Sequence, residues 1–302
     1  MDFGKLHPEE LAGVDFTLPT DNRFTTETLR QTKKPSSPQV FVGCPVWADK
    51  SWVGKLYPTS AKEKDHLAFY TRQFNTIELN VTHYQIPTEE TIERWKIASA
   101  DGFRFCPKFP QVISHDKLLQ SAEDLTHQFC EAITGLGEHL GMSFLQLAPY
   151  FTPRQVAILE KYLQIVSVPM AVEFRHADWF ANKAVWEHTT QLLQHYGVST
   201  VITDVAGRRD VLHQTLPTPI STIRFVGNEL HPTDYARADA WVQRLKSWFE
   251  QGLQTLYLFI HCGSNHYAPE LAVYWIRELN KQCGLNIKEP NFLPKVVQGS
   301  LF

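Results

Sequence analysis

MAVEFRH, Met170–His176, decides how this chain is read. Side chains two apart on a strand share a face, so Val172 and Phe174 lie on one side and Glu173 and Arg175 on the other. One face suits a hydrophobic layer. The other holds an opposite-charge pair where the chain leaves the strand. Seven further runs share this design: FVGC (Phe41–Cys44), TIELN (Thr76–Asn80), FRFCPK (Phe103–Lys108), FLQLAP (Phe144–Pro149), STVITD (Ser199–Asp204), STIRFVGN (Ser221–Asn228) and LYLFIH (Leu256–His261). Helical stretches separate most of them. Eight βα units predict an α/β chain folded as a single (β/α)8 TIM-like barrel, with its chemistry at the carboxyl ends of the strands.

The helices between the runs carry their own punctuation. Thr152-Pro153 reads as a helix start with proline at the first helical position, and Gly197, Gly252 and Gly284 read as helix stops. Residues 1–38, with Pro8, Pro19, Pro35 and Pro38, read as an irregular N-terminal extension. Residues 39–284 read as the barrel, and residues 285–302 as a C-terminal tail.

A chain of 302 residues, 43% hydrophobic, has ample material for one core. Its formal net charge of −3 and pI near 6.5 supply no broad basic field, so nucleic acid is not supported as a partner by net charge. The five cysteines (Cys44, Cys106, Cys130, Cys262, Cys283) form no CxxC and no metal-like spacing, which reads as reduced intracellular thiols. No signal peptide and no membrane-length apolar run is visible. The expectation is a cytoplasmic protein with no membrane partner.

Several segments resemble the YecE-like family, domain of unknown function 72. They are FNTIELNVTHYQIPTEETIERW (Phe74–Trp95), FRFCPKFPQVISH (Phe103–His115), FLQLAPYF (Phe144–Phe151) and VEFRHADWF (Val172–Phe180). The resemblance covers nearly all of residues 39–284 in order. It implies a TIM-like barrel, and the family has no established activity to transfer. The chain departs from the family pattern at IRFVGN on strand seven, where a histidine is expected. It also departs around HCGSNHYAPELA, which keeps Asn265 near the end of strand eight.

Alternation then selects the polar residues able to face the interior. Strand two offers Glu78 and Asn80, strand three Lys108, and strand four Gln146. Strand five offers Glu173 and Arg175, strand six Asp204, strand seven Arg224 and strand eight His261. Charges buried in such a place must be paired or must serve a ligand. Lys108, between Pro107 and Pro110, suits anion binding, oxyanion stabilisation or a Schiff base. His176, in the turn HADW, suits proton transfer near neutral pH. Trp47, Tyr84 and Trp179 offer flat rings for a sugar or a base. No HxxE, HxH or DxD spacing fixes a metal, although a divalent ion on Glu78, Glu173, Asp204, His176 or His261 stays open. The Gly-rich phosphate motifs are absent.

The expected function is an enzyme using acid–base or hydrolytic chemistry on a small anionic, sugar- or nucleotide-like ligand. Glu173, Asp204, Lys108 and His176 are the expected catalytic residues. Glu78, Asn80, Gln146, Arg175, Arg224, Trp47, Tyr84, Trp179 and Asn265 are the expected substrate contacts. One alternative is a metal-dependent phosphodiesterase or isomerase, as in endonuclease IV-like or xylose isomerase-like barrels. The other is a barrel that binds a ligand or nucleic acid without turnover.

Overall fold

The computed structural model describes residues 4–294. Residues 1–3 of the expected extension and 295–302 of the expected tail lie outside the described residues. In chain order the elements are α1 (Arg23–Gln31), β1 (Gln39–Gly43), α2 (His66–Gln73), β2 (Thr76–Leu79), α3 (Glu89–Ala98), β3 (Arg104–Pro107) and α4 (Glu123–Thr134). Then follow β4 (Ser143–Gln146), α5 (Val156–Leu163), β5 (Met170–Glu173), α6 (Asp178–Ala181), α7 (Lys183–His195) and β6 (Ser199–Asp204). The series closes with β7 (Ile220–Gly227), α8 (Pro232–Gln251), β8 (Thr255–Cys262) and α9 (Ala268–Cys283). Short 3-10 turns link several of them.

The eight strands do not make the expected eight-stranded closed barrel. Six form one parallel sheet in the order β1-β8-β7-β6-β5-β4, and β2 pairs with β3 in a separate two-stranded sheet. Both breaks have local causes. Between β1 and β2, the side chain of Asn75 takes the place of a ladder. Its Oδ1 accepts from Val42 N at 2.7 Å and its Nδ2 donates to Val40 O at 2.8 Å. The Tyr70 hydroxyl likewise accepts from Cys44 N at 2.7 Å and donates to Thr76 O at 3.0 Å. Gly43 sits so close to β2 that an added Cβ would lie 1.9 Å from Thr76 O.

Between β3 and β4 the cause is Pro107. Arg104 and Lys108 point their N–H groups at β2, to Asn75 O and Leu79 O, whereas Phe109 N points at Phe144 O. Residues of odd number on β3 therefore face β4, and Pro107 falls where a donor is needed and brings none. Only isolated bridges, Phe105↔Leu140 and Lys108↔Phe144, span that gap.

The N-terminal segment, expected to be irregular, contains a helix. Asn22 caps α1 by accepting from Phe24 N at 3.0 Å, and Thr25 donates its hydroxyl to Gln214 O at 2.7 Å. Upstream of α1, Gly4 O accepts from Gly207 N at 2.9 Å in the loop after β6. The five cysteines form no disulfide, and four of them are buried. Among the described residues no helix is long and apolar enough to cross a membrane.

The core has two parts. A large cluster fills the space between strands and helices. A small one, Phe41, Cys106, Met142, Phe144, Ala171, Val201, Tyr257 and Phe259, plugs the interior between the strands. Phe41 and Tyr257 stack there with centroids 4.9 Å apart. One pleat repeat beyond this plug, the same strand faces turn polar. Cys106 is followed by Lys108, Phe144 by Gln146, Ala171 by Glu173, Val201 by Thr203 and Phe259 by His261.

Candidate functional site

This polar layer is a connected network centred on Arg224. Its Nε and Nη2 donate to Glu78 Oε2 and Oε1 at 2.8 and 3.0 Å, a two-pronged contact. Its Nη1 lies 3.1 and 3.2 Å from the two oxygens of Glu173. One guanidinium thus ties β7 to carboxylates on β2 and β5. Glu173 also accepts from Arg175 Nε at 3.0 Å, Thr203 Oγ1 at 2.7 Å and Gln146 Nε2 at 2.7 Å. Glu78 accepts from Asn80 Nδ2 at 3.0 Å and from His261 Nε2 at 2.8 Å, which places a proton on that ring nitrogen.

Both carboxylates are buried, and burial alone disfavours their charge. The facing partners outweigh it. Arg224 and His261 hold Glu78 well below the usual carboxylate range, and Arg175 and Arg224 do the same for Glu173. Each stays ionised and acts as a fixed counter-charge.

Lys108 is held differently. Its Nζ donates to Gln146 Oε1 at 3.1 Å and makes no ion pair with the described residues. The side chain is 8% exposed. Burial, and then repulsion from Arg224, bring its ammonium down to about 8. Phe144 of the apolar plug lies beneath both cations, with Lys108 Nζ 5.9 Å and the Arg224 guanidinium 5.8 Å from its centroid. Thr82 pins the Lys108 main chain by donating to its carbonyl at 2.8 Å.

These groups open onto a cavity of about 340 Å³. Lys108, Gln146, Arg175, Thr203, Arg224 and His261 form its floor. Lys5, His83, Tyr84, Gln111 and His115 form its sides. His83 Nδ1 donates to Phe109 O at 2.7 Å, so the lone pair sits on Nε2. Burial and the nearby Lys108 lower His83 to about 4 and lower His115 as well, leaving both rings neutral near pH 7.

Of the residues expected at the site, Glu78, Asn80, Lys108, Gln146, Glu173, Arg175 and Arg224 meet in this network, and Tyr84 stands 79% exposed on the rim. Asp204 does not join them. It turns outward to α8, where its carboxylate accepts from Arg237 Nη2 at 2.8 Å and Trp241 Nε1 at 2.6 Å and pairs with Arg209. Thr203, one residue earlier, takes the inward place.

His176 is half-exposed and accepts from Asp178 N at 3.2 Å at the start of α6, a capping role. Trp179 is fully buried and donates its indole N–H to Phe151 O at 2.8 Å. Trp47 packs edge-on against Trp95, with centroids 6.2 Å apart. Asn265 contributes its carbonyl, which accepts from Trp52 Nε1 at 2.9 Å.

Six polar lining residues are absent from the expected catalytic and substrate contacts: Lys5, His83, Gln111, His115, Thr203 and His261. The pleat count from Val201 is the signal that finds Thr203. Nothing local marks Lys5, which arrives from far along the chain. Among the described residues no group of three or more His, Cys, Asp or Glu is arranged to hold a metal ion.

Residues 41–294 match the model of a family described as protein of unknown function DUF72. The chain belongs to the DUF72 family. It is 31% identical over 283 residues to the UPF0759 protein YecE of Escherichia coli strain K12, covering 86% of this chain and 98% of that one. It is 26% identical over 168 residues to the UPF0759 protein YunF of Bacillus subtilis strain 168, covering 52% and 58%.

Among solved structures it is similar to a DUF72 family protein from Enterococcus faecalis V583, with TM-score 0.65, 18% identity and coverage of 83% of this chain and 100% of that one. A DUF72 family protein from Thermotoga maritima MSB8 gives TM-score 0.62 and 22% identity, covering 80% and 99%. These structures share the fold. The DUF72 match begins at Phe41, so Lys5, which lines the cavity, lies outside the matched residues.

Proposed function

We propose that the cavity is the active site of an enzyme that binds a small anionic, sugar- or nucleotide-like substrate and acts on it by acid–base chemistry. The observation that carries this reading is Lys108, a buried cation that makes no ion pair with the described residues, while the network saturates both carboxylates. Among the described residues of the network, Lys108, Arg175 and Arg224 stand with two carboxylates, Glu78 and Glu173. An arriving anion supplies the charge that Lys108 lacks. The cavity volume lies in the range of small-ligand sites, which begins at about 300 Å³.

The roles follow from the bonding. Glu173 accepts from four neighbouring residues and has no lone pair to spare for a proton in flight. It fixes Arg175 and Arg224 as rigid positive groups. Gln146, tied to Glu173 through its amide nitrogen, orients Lys108 through its oxygen. Lys108, with an ammonium that titrates near 8, and neutral His83, with a lone pair on Nε2, carry the proton transfers.

Saturated carboxylates also favour a second reading, a ligand-binding site without turnover. One comparison tests both. The melting temperatures of the wild type and of Lys108→Met are followed against inorganic phosphate, ribose 5-phosphate and AMP. Ligand at about a hundredfold over Kd stabilises the native state by about 2.7 kcal/mol. A rise in the wild type that is absent from Lys108→Met supports the site. No rise with any anion, or equal rises in both proteins, overturns it. Turnover of a stabilising ligand separates the enzyme from the binding module.

A further inference from the structure

We propose that Lys108 is a nucleophile, and that the site takes an anionic carbonyl compound, whose aldehyde or ketone carbon Lys108 captures as a Schiff base. This rests on the anion-site reading above and names the substrate class of that same cavity.

The geometry around Nζ carries the inference. A buried ammonium ordinarily has a carboxylate beside it, because an unpaired buried charge is costly. Both cavity carboxylates are instead engaged by Arg224, one of them also by Arg175 and the other by His261. The contact given to Lys108 Nζ is a neutral amide oxygen, Gln146 Oε1. That acceptor keeps a hydrogen bond to Nζ whether the amine is charged or neutral, the charged form holding it more strongly. The floor beneath it is the Phe144 ring, so the amine rises from an apolar surface into the cavity. Arg224 stands on the same ring and disfavours a second positive charge. At pH 7.5 the free-amine fraction exceeds that of a lysine at the ordinary 10.5 by on the order of a hundredfold.

The remaining lining supplies what imine formation needs. The Nζ lone pair adds to the carbonyl carbon, a C–N bond forms, and the carbonyl π pair moves to oxygen. A proton passes from nitrogen to oxygen, giving a carbinolamine. Protonation of that hydroxyl expels water and leaves the iminium. His83, neutral and with its lone pair on Nε2, is the lining base that takes the proton the Lys108 ammonium sheds before attack and returns it to the carbinolamine hydroxyl. The guanidinium groups of Arg175 and Arg224 face the anionic end of the substrate, a carboxylate or a phosphate. Gln146 is a positioning residue.

The test uses the whole chain at pH 7.5 with sodium cyanoborohydride and, separately, pyruvate or glyceraldehyde 3-phosphate, followed by peptide mass mapping. The expected result is one adduct per chain at Lys108, formed on the order of tenfold or more faster than at exposed lysines. Inorganic phosphate should slow it, and Lys108→Arg should abolish it. Trapping by pyruvate alone supports a 2-oxo acid, and trapping by glyceraldehyde 3-phosphate alone supports a phosphorylated aldose. Labelling spread over exposed lysines such as Lys183, with Lys108 spared, overturns the proposal. This map is read in the wild type and needs no folded variant. Lys108-dependent stabilisation by phosphate without any adduct removes the nucleophile and keeps the anion site. No stabilisation and no adduct remove both.

Discussion

Two buried carboxylates on neighbouring strands, Glu173 and Asp204, have nearly the same chemistry and opposite surroundings. Each is almost fully buried and each is held ionised by arginines. Glu173 points inward, and its partners Arg175 and Arg224 line a cavity that solvent reaches. Asp204 points outward and is sealed by α8, where Arg237 is 1% exposed at its side chain and Phe16 lies over the guanidinium at 5.2 Å. Burial and ion pairing therefore do not distinguish a site from a strut. The difference lies in whether the partner cations line this cavity, as Arg175 and Arg224 do and Arg237 and Arg209 do not.

The comparison is broken most forcefully at Asp204. Asp204→Asn removes the nearer of the two counter-charges of Arg237, the other being Asp234 at 3.5 Å, without opening a route to water. Breaking a buried pair from one side costs about 3–5 kcal/mol. Chemical denaturation should read that loss, whereas phosphate binding at temperatures where the variant is folded should be unchanged. Weakened phosphate binding with stability intact would place Asp204 in the site after all.

The next largest effect is a pH dependence set by Lys108. Below about pH 8 both folded and unfolded chains carry its proton, and the folded chain bears the cost of burying it. Between about 8 and 10.5 the folded chain releases the proton while the unfolded chain keeps it. The unfolded state then binds more protons, so stability rises with pH across this window, by up to about 3 kcal/mol for this group. Buried tyrosines such as Tyr70, whose burial raises them, work in the opposite direction at the upper end. The quantity to measure is therefore the difference between the wild type and Lys108→Met. An identical pH profile in the two proteins would mean that Lys108 is ordinarily solvated.

The run STVITD shows where legibility ends. The strand itself is plain in the sequence, and β6 occupies the expected span, Ser199–Asp204. Its facing is not plain, because Ser199, Val201 and Thr203 make as good an inward face as Thr200, Ile202 and Asp204. Charge suggested Asp204. The inner plug decided for Thr203, because Val201 packs among Ala171, Phe144 and Phe259. On β5 no such ambiguity arises, since Val172 and Phe174 leave Glu173 and Arg175 the inward face.

The closed barrel failed for a similar reason. Eight runs were readable, but the replacement of a ladder by the Asn75 side chain depends on a partner 33 residues away. The missing donor of Pro107 matters only once β4 is known to be the neighbour. The His83 and His115 walls depend on loops whose conformation no periodicity records.

Glu173→Gln should have an intermediate effect. The amide keeps the shape and one acceptor oxygen for Thr203 and the arginines, but loses the charge. Arg175 and Arg224 are each 10% exposed at the side chain and can recover some hydration. The expected cost is about 1–3 kcal/mol, below that of Asp204→Asn. Phosphate should bind more tightly to the variant, because one cavity carboxylate has lost its charge. Equal or greater destabilisation than Asp204→Asn would erase the distinction between the two carboxylates.

Thr203→Val should give the smallest change, although it sits next to the largest. Valine keeps the shape and the β-branched fit of a buried strand position. It removes one donor from Glu173 Oε1, which still accepts from Arg175 and Arg224. No buried group is left unpaired, so the loss is that of a single hydrogen bond, about 0.5–1.5 kcal/mol. The carboxylate would then draw Arg224 and Arg175 more firmly, and the cavity floor would lose a hydroxyl. Phosphate affinity should therefore shift measurably by titration calorimetry, in contrast to Asp204→Asn, which changes stability and leaves the cavity alone. Adjacent residues on one strand would thus separate cleanly, one read by denaturation and the other by binding. If Thr203→Val leaves phosphate affinity untouched while Asp204→Asn lowers it, the inward and outward faces of β6 have been assigned the wrong way round.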